Sequence, residues 1–525
     1  MMIVPITHAE SDVPRPGRTG VAEGLADAEL QATLIAVEEG ARTEPGLLPE
    51  GFHRRVIGLF AANVLTVVVV GLSFIAYSKI LTPQEFGLYA VGLSAATLLA
   101  LILDGGLKTT IIKLDTELPE EEESSIAVLM LVVSVGLILL LVAGERTLLA
   151  MRPGISQDAR FITLFVGIAL LFYPFVTLPT AKLERSLEYG HIAWIESLGM
   201  VVERGAPALL LVFTKLGIYS FVWALLASRI LRALVLARFH AVSLIRASRS
   251  GFLKSLRHLR EGAWIQAGTI SSVARDNLHT LLVGPFFGKV WIGYYAWALQ
   301  ICLVSSQIFA QISARVSLPL LAQAGSFEKR WARCLRQVRF LTMLTVPVLC
   351  GVLLILPDVN SHFFQGKWQP ALGLVPLLFL RMIPGMATTP VGPLIMVHRS
   401  GSAFAITNLL WTLAEVIGGI TLAWVLGPTG LAWSYALVVW LGLWLMLASL
   451  RRSTAGLAWD LVKEIGMRPS LLLAVGVTVS VSLIPGLSRQ LVAGPWLIYW
   501  VVGGVVLCSY LIEPELRGFL VHGET

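Results

Sequence analysis

Apolar stretches close to 20 residues long recur along this chain, separated by short polar connectors. That is the length a helix needs to cross a bilayer. The pattern predicts spans near 55–80, 86–107, 126–149, 159–181, 190–214 and 217–240. After a basic connector it predicts six more, near 262–286, 292–318, 337–357, 371–397, 402–426 and 428–450. A last pair falls near 470–487 and 494–512, for about fourteen in all, the first of the two interrupted by Pro485-Gly486. The fold class is therefore all-α and integral to a membrane.

A second pattern runs across the first. Lys79-Ile-Leu-Thr-Pro-Gln-Glu-Phe-Gly-Leu-Tyr-Ala90 joins two apolar runs, and Pro285-Phe-Phe-Gly-Lys-Val-Trp-Ile-Gly-Tyr-Tyr-Ala296 repeats its layout 206 residues later. Phe86 aligns with Ile292, Gly87 with Gly293 and Tyr89 with Tyr295. Each copy reads as a tight turn, with Pro83 starting the bend and Gly87 or Gly293 allowing a close reversal. A repeat this long, holding several spans, predicts two duplicated lobes of the kind found in transporters.

Composition supports that reading: 56% of residues are hydrophobic and 14% charged, against about 25% charged in soluble domains. The net charge of +7 would suggest nucleic acid in a soluble chain. Here the basic residues lie between spans, where they set orientation and imply no nucleic-acid partner. With the N-terminus cytoplasmic, 27 of the 40 Lys and Arg fall inside, 8 outside and 5 within spans. Both termini are thus expected in the cytoplasm. The chain divides into a disordered polar tail (1–50), an N-terminal six-helix lobe (51–243), a basic amphipathic connector (244–261), a C-terminal six-helix lobe (262–450) and a closing segment with the last two spans (451–525). Connectors 249–260, 327–339 and 457–465 carry apolar faces among basic residues, as helices lying on the membrane surface do, either as anchors or in contact with anionic lipid headgroups.

No nucleotide loop, nucleophile triad or metal constellation is present, and Cys302, Cys334, Cys350 and Cys508 have no metal spacing. The acidic run Asp115, Glu117 and Glu120 to Glu123 reads as solvated charge, its last members favouring a helix N-terminus near Ser124. Ionisable residues inside spans say more, because a charge at the bilayer centre costs at least ~2.5–3.5 kcal/mol. These are Glu203, Arg204, Arg275, Asp276, Arg381 and Glu415, with Asp104 at the end of its span and Arg229 and Arg232 placed to snorkel inward. Arg204, Arg275 and Arg381 together predict a basic, water-filled cavity between the lobes suited to an anion. Ion pairs holding the bundle together are the structural alternative, with Asp104, Glu203, Asp276 and Glu415 as partners or ion-coupling groups. Pro384 and Pro390, beside Arg381, mark either a hinge or a packing kink.

Several motifs carry a resemblance: the 79–89 turn, Asp104-Gly-Gly-Leu107 with Lys113, Asn277 to Gly284, Gly293-Tyr-Tyr-Ala-Trp-Ala-Leu299 and Phe364-Gln-Gly-Lys-Trp368. From about 52 to 450 the chain resembles the polysaccharide-exporting, Wzx-type flippases of the multidrug/oligosaccharidyl-lipid/polysaccharide (MOP) superfamily. It departs from their pattern in having His279 where Asp is usual, Thr280 where a basic residue is usual and Lys79 where Arg is common. The resemblance implies two six-helix lobes in a V-shaped arrangement around a central cavity, with extra C-terminal spans. It implies a bacterial inner-membrane protein, with no cofactor, that moves a polyprenyl-diphosphate-linked oligosaccharide outward by alternating access. Membrane lipids, a polymerase and export machinery would be its partners. A cation-coupled drug or small-solute antiporter of the same superfamily is the alternative. A membrane glycosyltransferase or polymerase is disfavoured by outer loops too short to carry catalytic acids.

Overall fold

A computed structural model describes residues 66, 68–113, 118–151, 156–186, 188–322, 324–450 and 454–466. The expected N-terminal tail, the start of the first span, Asp115, Glu117, Cys508 and the final pair of spans lie outside the described residues.

The described residues are helical. In chain order they form α1 (Val68–Ile80), α2 (Pro83–Asp104), α3 (Leu107–Lys113), α4 (Glu120–Met151), α5 (Ser156–Leu171), α6 (Tyr173–Arg185), α7 (Tyr189–Phe213) and α8 (Tyr219–Ala237) in the N-terminal half. The C-terminal half holds α9 (Arg249–Phe287), α10 (Lys289–Ala322), α11 (Phe327–Asp358), the short α12 (Gln369–Leu372), α13 (Val375–His398), α14 (Gly401–Leu426) and α15 (Pro428–Ser449), followed by α16 (Thr454–Gly466). Among the described residues, eight helices or helix runs are long and apolar enough to cross a membrane.

Local chemistry sets the helix starts. Thr82 accepts the Glu85 amide while the Glu85 carboxylate accepts the Thr82 amide at 2.9 Å, a reciprocal cap with Pro83 in the first turn. Ser248, Ser326 and Ser400 cap α9, α11 and α14 in the same sense, each accepting a backbone N–H three residues on. α2 ends at Gly105, whose φ of 57° is left-handed.

Several expectations change. The span at 159–181 is two helices, α5 and α6, meeting at Phe172 just ahead of Pro174. Gly87 and Gly293 are not in turns. They lie inside α2 and α10, and Pro83 opens a helix instead of a reversal. The connectors 249–260 and 327–339 are not separate surface helices either, because no proline interrupts them before Pro285 and Pro347, and they run on as α9 and α11. The apolar face of 327–339 is covered by protein: Trp331, Cys334 and Val338 are buried with Leu457 and Leu461 of α16, and Trp331 Nε1 donates to Asp460 at 3.1 Å.

The acidic run is also tied down where it is described. α4 begins at Glu120, so Glu122 and Glu123 occupy its first turn, buried at 7% and 6% exposure. Glu123 pairs with Lys182, Glu122 lies 3.6 Å from Lys254, and Glu120 pairs with Arg246. Ser125 Oγ accepts the Ser248 amide at 3.1 Å, fastening α4 to the start of α9.

The Phe364–Trp368 motif joins the end of α1 to α10. Its loop is shaped by Gln365 and Gly366 at φ 54° and 76° and by the Asn360 side chain, which accepts the Trp368 amide at 3.0 Å. Trp368 Nε1 donates to the Ser78 carbonyl (2.9 Å), Trp297 Nε1 donates to Ser78 Oγ (2.8 Å), and the two indoles stack with centroids 4.9 Å apart. Lys367 Nζ donates to the Lys79 and Leu81 carbonyls at 2.8 and 3.0 Å. Carbonyls at a helix C-terminus have no partner within the helix, and this loop supplies them. Partial burial lowers the Lys367 pKa, with the nearby Glu85 charge acting in the opposite direction.

Candidate functional site

Two clusters of ionisable side chains lie within the bundle, one in each half. The C-terminal cluster draws on four helices. On α9, Arg275 and His279 stand one turn apart, and on α14 Asn408, Thr412 and Glu415 share a face by the helical repeat. The Arg275 guanidinium donates to Asn408 Oδ1 and Ser272 Oγ, both at 3.1 Å, and lies 3.5 Å from the Trp411 ring centre. Thr412 Oγ1 donates to the Ser271 carbonyl at 2.8 Å and locks α14 to α9 beside it. Arg381 of α13 crosses to Asp276, which also accepts from the Tyr435 hydroxyl at 3.3 Å, while the guanidinium covers the Tyr435 ring at 3.7 Å. Adjacent in sequence, Arg275 and Asp276 thus take different partners.

Glu415 and His279 form the inner part of this cluster. Both are nearly fully buried, with Nε2 and Oε1 3.1 Å apart but not aligned as a hydrogen bond. The imidazole lies 4.1 Å from the Tyr435 ring and is stacked near Tyr295 at 6.2 Å. The position where the chain departs from its family pattern therefore faces a carboxylate.

In the N-terminal half, Arg204 of α7 donates to the Tyr89 hydroxyl at 2.5 Å, and the Tyr77 hydroxyl donates to the Arg204 carbonyl. Tyr89 packs on Phe221 with ring centres 4.0 Å apart. Glu203, next in sequence to Arg204, turns to α8, with Arg232 at 3.5 Å and Arg229 at 4.0 Å. Instead of snorkelling to the cytoplasmic side, Arg229 and Arg232 face this carboxylate on the neighbouring helix, which hydropathy along the sequence does not reveal. Asp104 is buried at the end of α2 and accepts the Gly106 amide at 3.2 Å, the geometry of a helix terminus.

Arg275 and Arg381 are thus brought together with Asp276, His279 and Glu415, while Arg204 belongs to the aromatic cluster of the other half. Pro384 and Pro390 are buried inside α13, which continues helical through both.

The chemistry available is binding. The clusters offer guanidiniums, aromatic faces and buried carboxylates, and among the described residues no group of three metal-ligating side chains is found. Comparison with known proteins agrees with the fold and places the chain. The profile of the family described as "Polysaccharide biosynthesis protein" matches residues 77–372, more than half of the chain. The lipopolysaccharide biosynthesis protein WzxC of Escherichia coli K12 is 24% identical over 392 residues, 70% of this chain and 75% of that one. Among solved structures, the lipid II flippase MurJ in an inward closed conformation superposes with a TM-score of 0.64 at 14% identity, over 88% of this chain and 98% of its own. An inward-facing MATE family transporter of the MOP superfamily gives 0.53 at 15% identity, over 75% and 96%. The chain is therefore a multi-pass membrane protein that belongs to the polysaccharide biosynthesis protein family.

Proposed function

We propose that this protein is a flippase that carries a polyprenyl-diphosphate-linked oligosaccharide from the cytoplasmic to the outer leaflet of a bacterial inner membrane, by alternating access and without catalysing a reaction. The observation that carries the proposal is the state of two arginines. Among the described residues, neither Arg204 nor Arg275 has a carboxylate within ion-pair distance. Their contacts are neutral: Tyr89 for one, Asn408, Ser272 and Trp411 for the other. Arginines kept only to bind helices together would be paired with acids, as Arg381 is with Asp276. Positive charge held at membrane depth on neutral supports is available to an anionic headgroup, and guanidinium forks match phosphate oxygens.

A sugar diphosphate cannot enter hydrocarbon unaided, whereas its prenyl tail can remain in the bilayer. A wet passage with cationic walls serves the headgroup alone. Arg204 and Arg275, joined by Arg381, are assigned to that passage, one from the N-terminal lobe and two from the C-terminal lobe. The proposed orientation keeps both termini cytoplasmic, and a polymerase and export machinery would take the product on the outer face. The names of WzxC and MurJ support the reading.

Deletion of the gene, followed by analysis of lipid-linked oligosaccharides on each leaflet, tests the function. Intermediates should accumulate on the cytoplasmic leaflet, and Arg204→Lys or Arg275→Lys should restore partial export where the Gln variants restore none at equal abundance. Unchanged leaflet distribution in the deletion, with altered drug tolerance, would favour an antiporter.

A further inference from the structure

The N-terminal half contains a cavity of about 190 Å³ between α6, α7 and α8, with Lys108 of α3 at its side. Thr177, Glu196, Arg229 and Arg232 give it a polar wall, while Ile192 and Ile195 give it an apolar one. A water molecule's share of the liquid is about 30 Å³, so the space holds about six. Pockets for drug-sized ligands start near ~300 Å³. A phosphate group with a short stem fits here, whereas an oligosaccharide does not.

Arg229 and Arg232 share the Glu203 carboxylate, and Glu196 is the further carboxylate near Arg232. Lys108 is matched separately by Glu184 at 2.8 Å. The guanidinium donors are under-used: Arg229 and Arg232 meet the shared Glu203 carboxylate only at 4.0 and 3.5 Å. Their Nε–H groups are buried without a hydrogen-bond partner among the described residues. Gly199 makes this possible, because a Cβ there would overlap the Arg232 guanidinium. The cavity sits toward the end of α8 that leads into the basic segment 238–260, where headgroup-level cations gather.

We propose that this cavity binds one phosphate-bearing anion, either a phosphodiester lipid headgroup or inorganic phosphate, chiefly through Arg229 and Arg232. The site is separate from the route assigned to the transported headgroup. Two forked guanidiniums less than a turn apart on one helix suit the oxygens of a single phosphate, and the apolar wall receives the stem that carries it.

The test uses full-length protein in detergent. Thermal melts are recorded against inorganic phosphate at constant ionic strength, and native mass spectrometry follows phosphatidylglycerol retained from mixed micelles. Arg232→Gln combined with Glu203→Gln removes one charge of each sign, so the net charge around the cavity is unchanged. Gly199→Ala keeps every charge and displaces the Arg232 guanidinium. Saturable stabilisation by phosphate, weakened about tenfold or more in both variants, identifies free anion as a ligand. Silence toward phosphate with one phosphatidylglycerol retained, and lost in both variants, identifies the headgroup. Absence of saturable binding by either probe, or binding unchanged in both variants at wild-type melting temperature, overturns the proposal.

Discussion

Gly87 of α2 and Gly293 of α10 are in backbone contact where the two helices cross. A Cβ on Gly87 would stand 2.7 Å from the Gly293 amide nitrogen, and one on Gly293 would run into the Pro83 carbonyl. Small residues let membrane helices approach this closely. Backbone on the far side cannot rotate away as a side chain can. Gly293→Ala and Gly87→Val should each destabilise the protein by about 1–3 kcal/mol, in the range of overpacking, and lower its membrane abundance. Melting of the purified variants checks this. Wild-type melting temperature and abundance in both would remove the packing argument.

Arg381 and Asp276 offer a rescue experiment. Arg381→Gln leaves Asp276 without its cation, and Asp276→Asn added to it should bring abundance back. Asp276 is 46% exposed, so the single variant should lose less than the ~3–5 kcal/mol typical of a fully buried pair. Export by the rescued double variant separates the two roles of Arg381. Export restored along with abundance assigns it to structure, and export still absent assigns it to the headgroup.

His279 and Glu415 are deeper, and their coupling should be stronger. His279→Leu strands a carboxylate that is 2% exposed, whereas His279→Leu with Glu415→Leu replaces both by apolar groups. The double variant should melt above the His279→Leu single variant. A double variant no more stable than the single one would show that the two side chains do not support each other.

Topology is testable at positions chosen for exposure. Ser361, beside the Phe364–Trp368 loop, and Ser250, at the start of α9, are both exposed. In a variant lacking the native cysteines, Ser361→Cys should react with an impermeant maleimide added to intact cells and Ser250→Cys should not. The reverse pattern would invert the proposed orientation.

Helix spans were legible in the sequence because each is written locally, as about 20 apolar residues with a cap before them. The repeat was legible too, and it picked out Gly87 and Gly293. It misread their role, since a glycine that admits a turn and one that admits a neighbouring helix look alike until the neighbour is placed. The same gap hid the pairing of Arg229 and Arg232: their partner Glu203 lies on α7, and no spacing along α8 points to it. Glu122 and Glu123 looked solvated for that reason, with Lys254 and Lys182 both more than 50 residues away. Charge in a span could be flagged from sequence, but which charges pair could not.

α9 has one further consequence. It runs unbroken for 39 residues, about 58 Å at 1.5 Å per residue, nearly twice the ~30 Å hydrocarbon thickness. Its first two turns are held by Ser125 and Glu122 of α4, and Arg275, Asp276 and His279 ride on it about 40 Å away. Over that length a tilt of even a few degrees about the Ser248 end would displace the charged residues sideways by ångströms, so the position of the charges is set partly by a contact far from them.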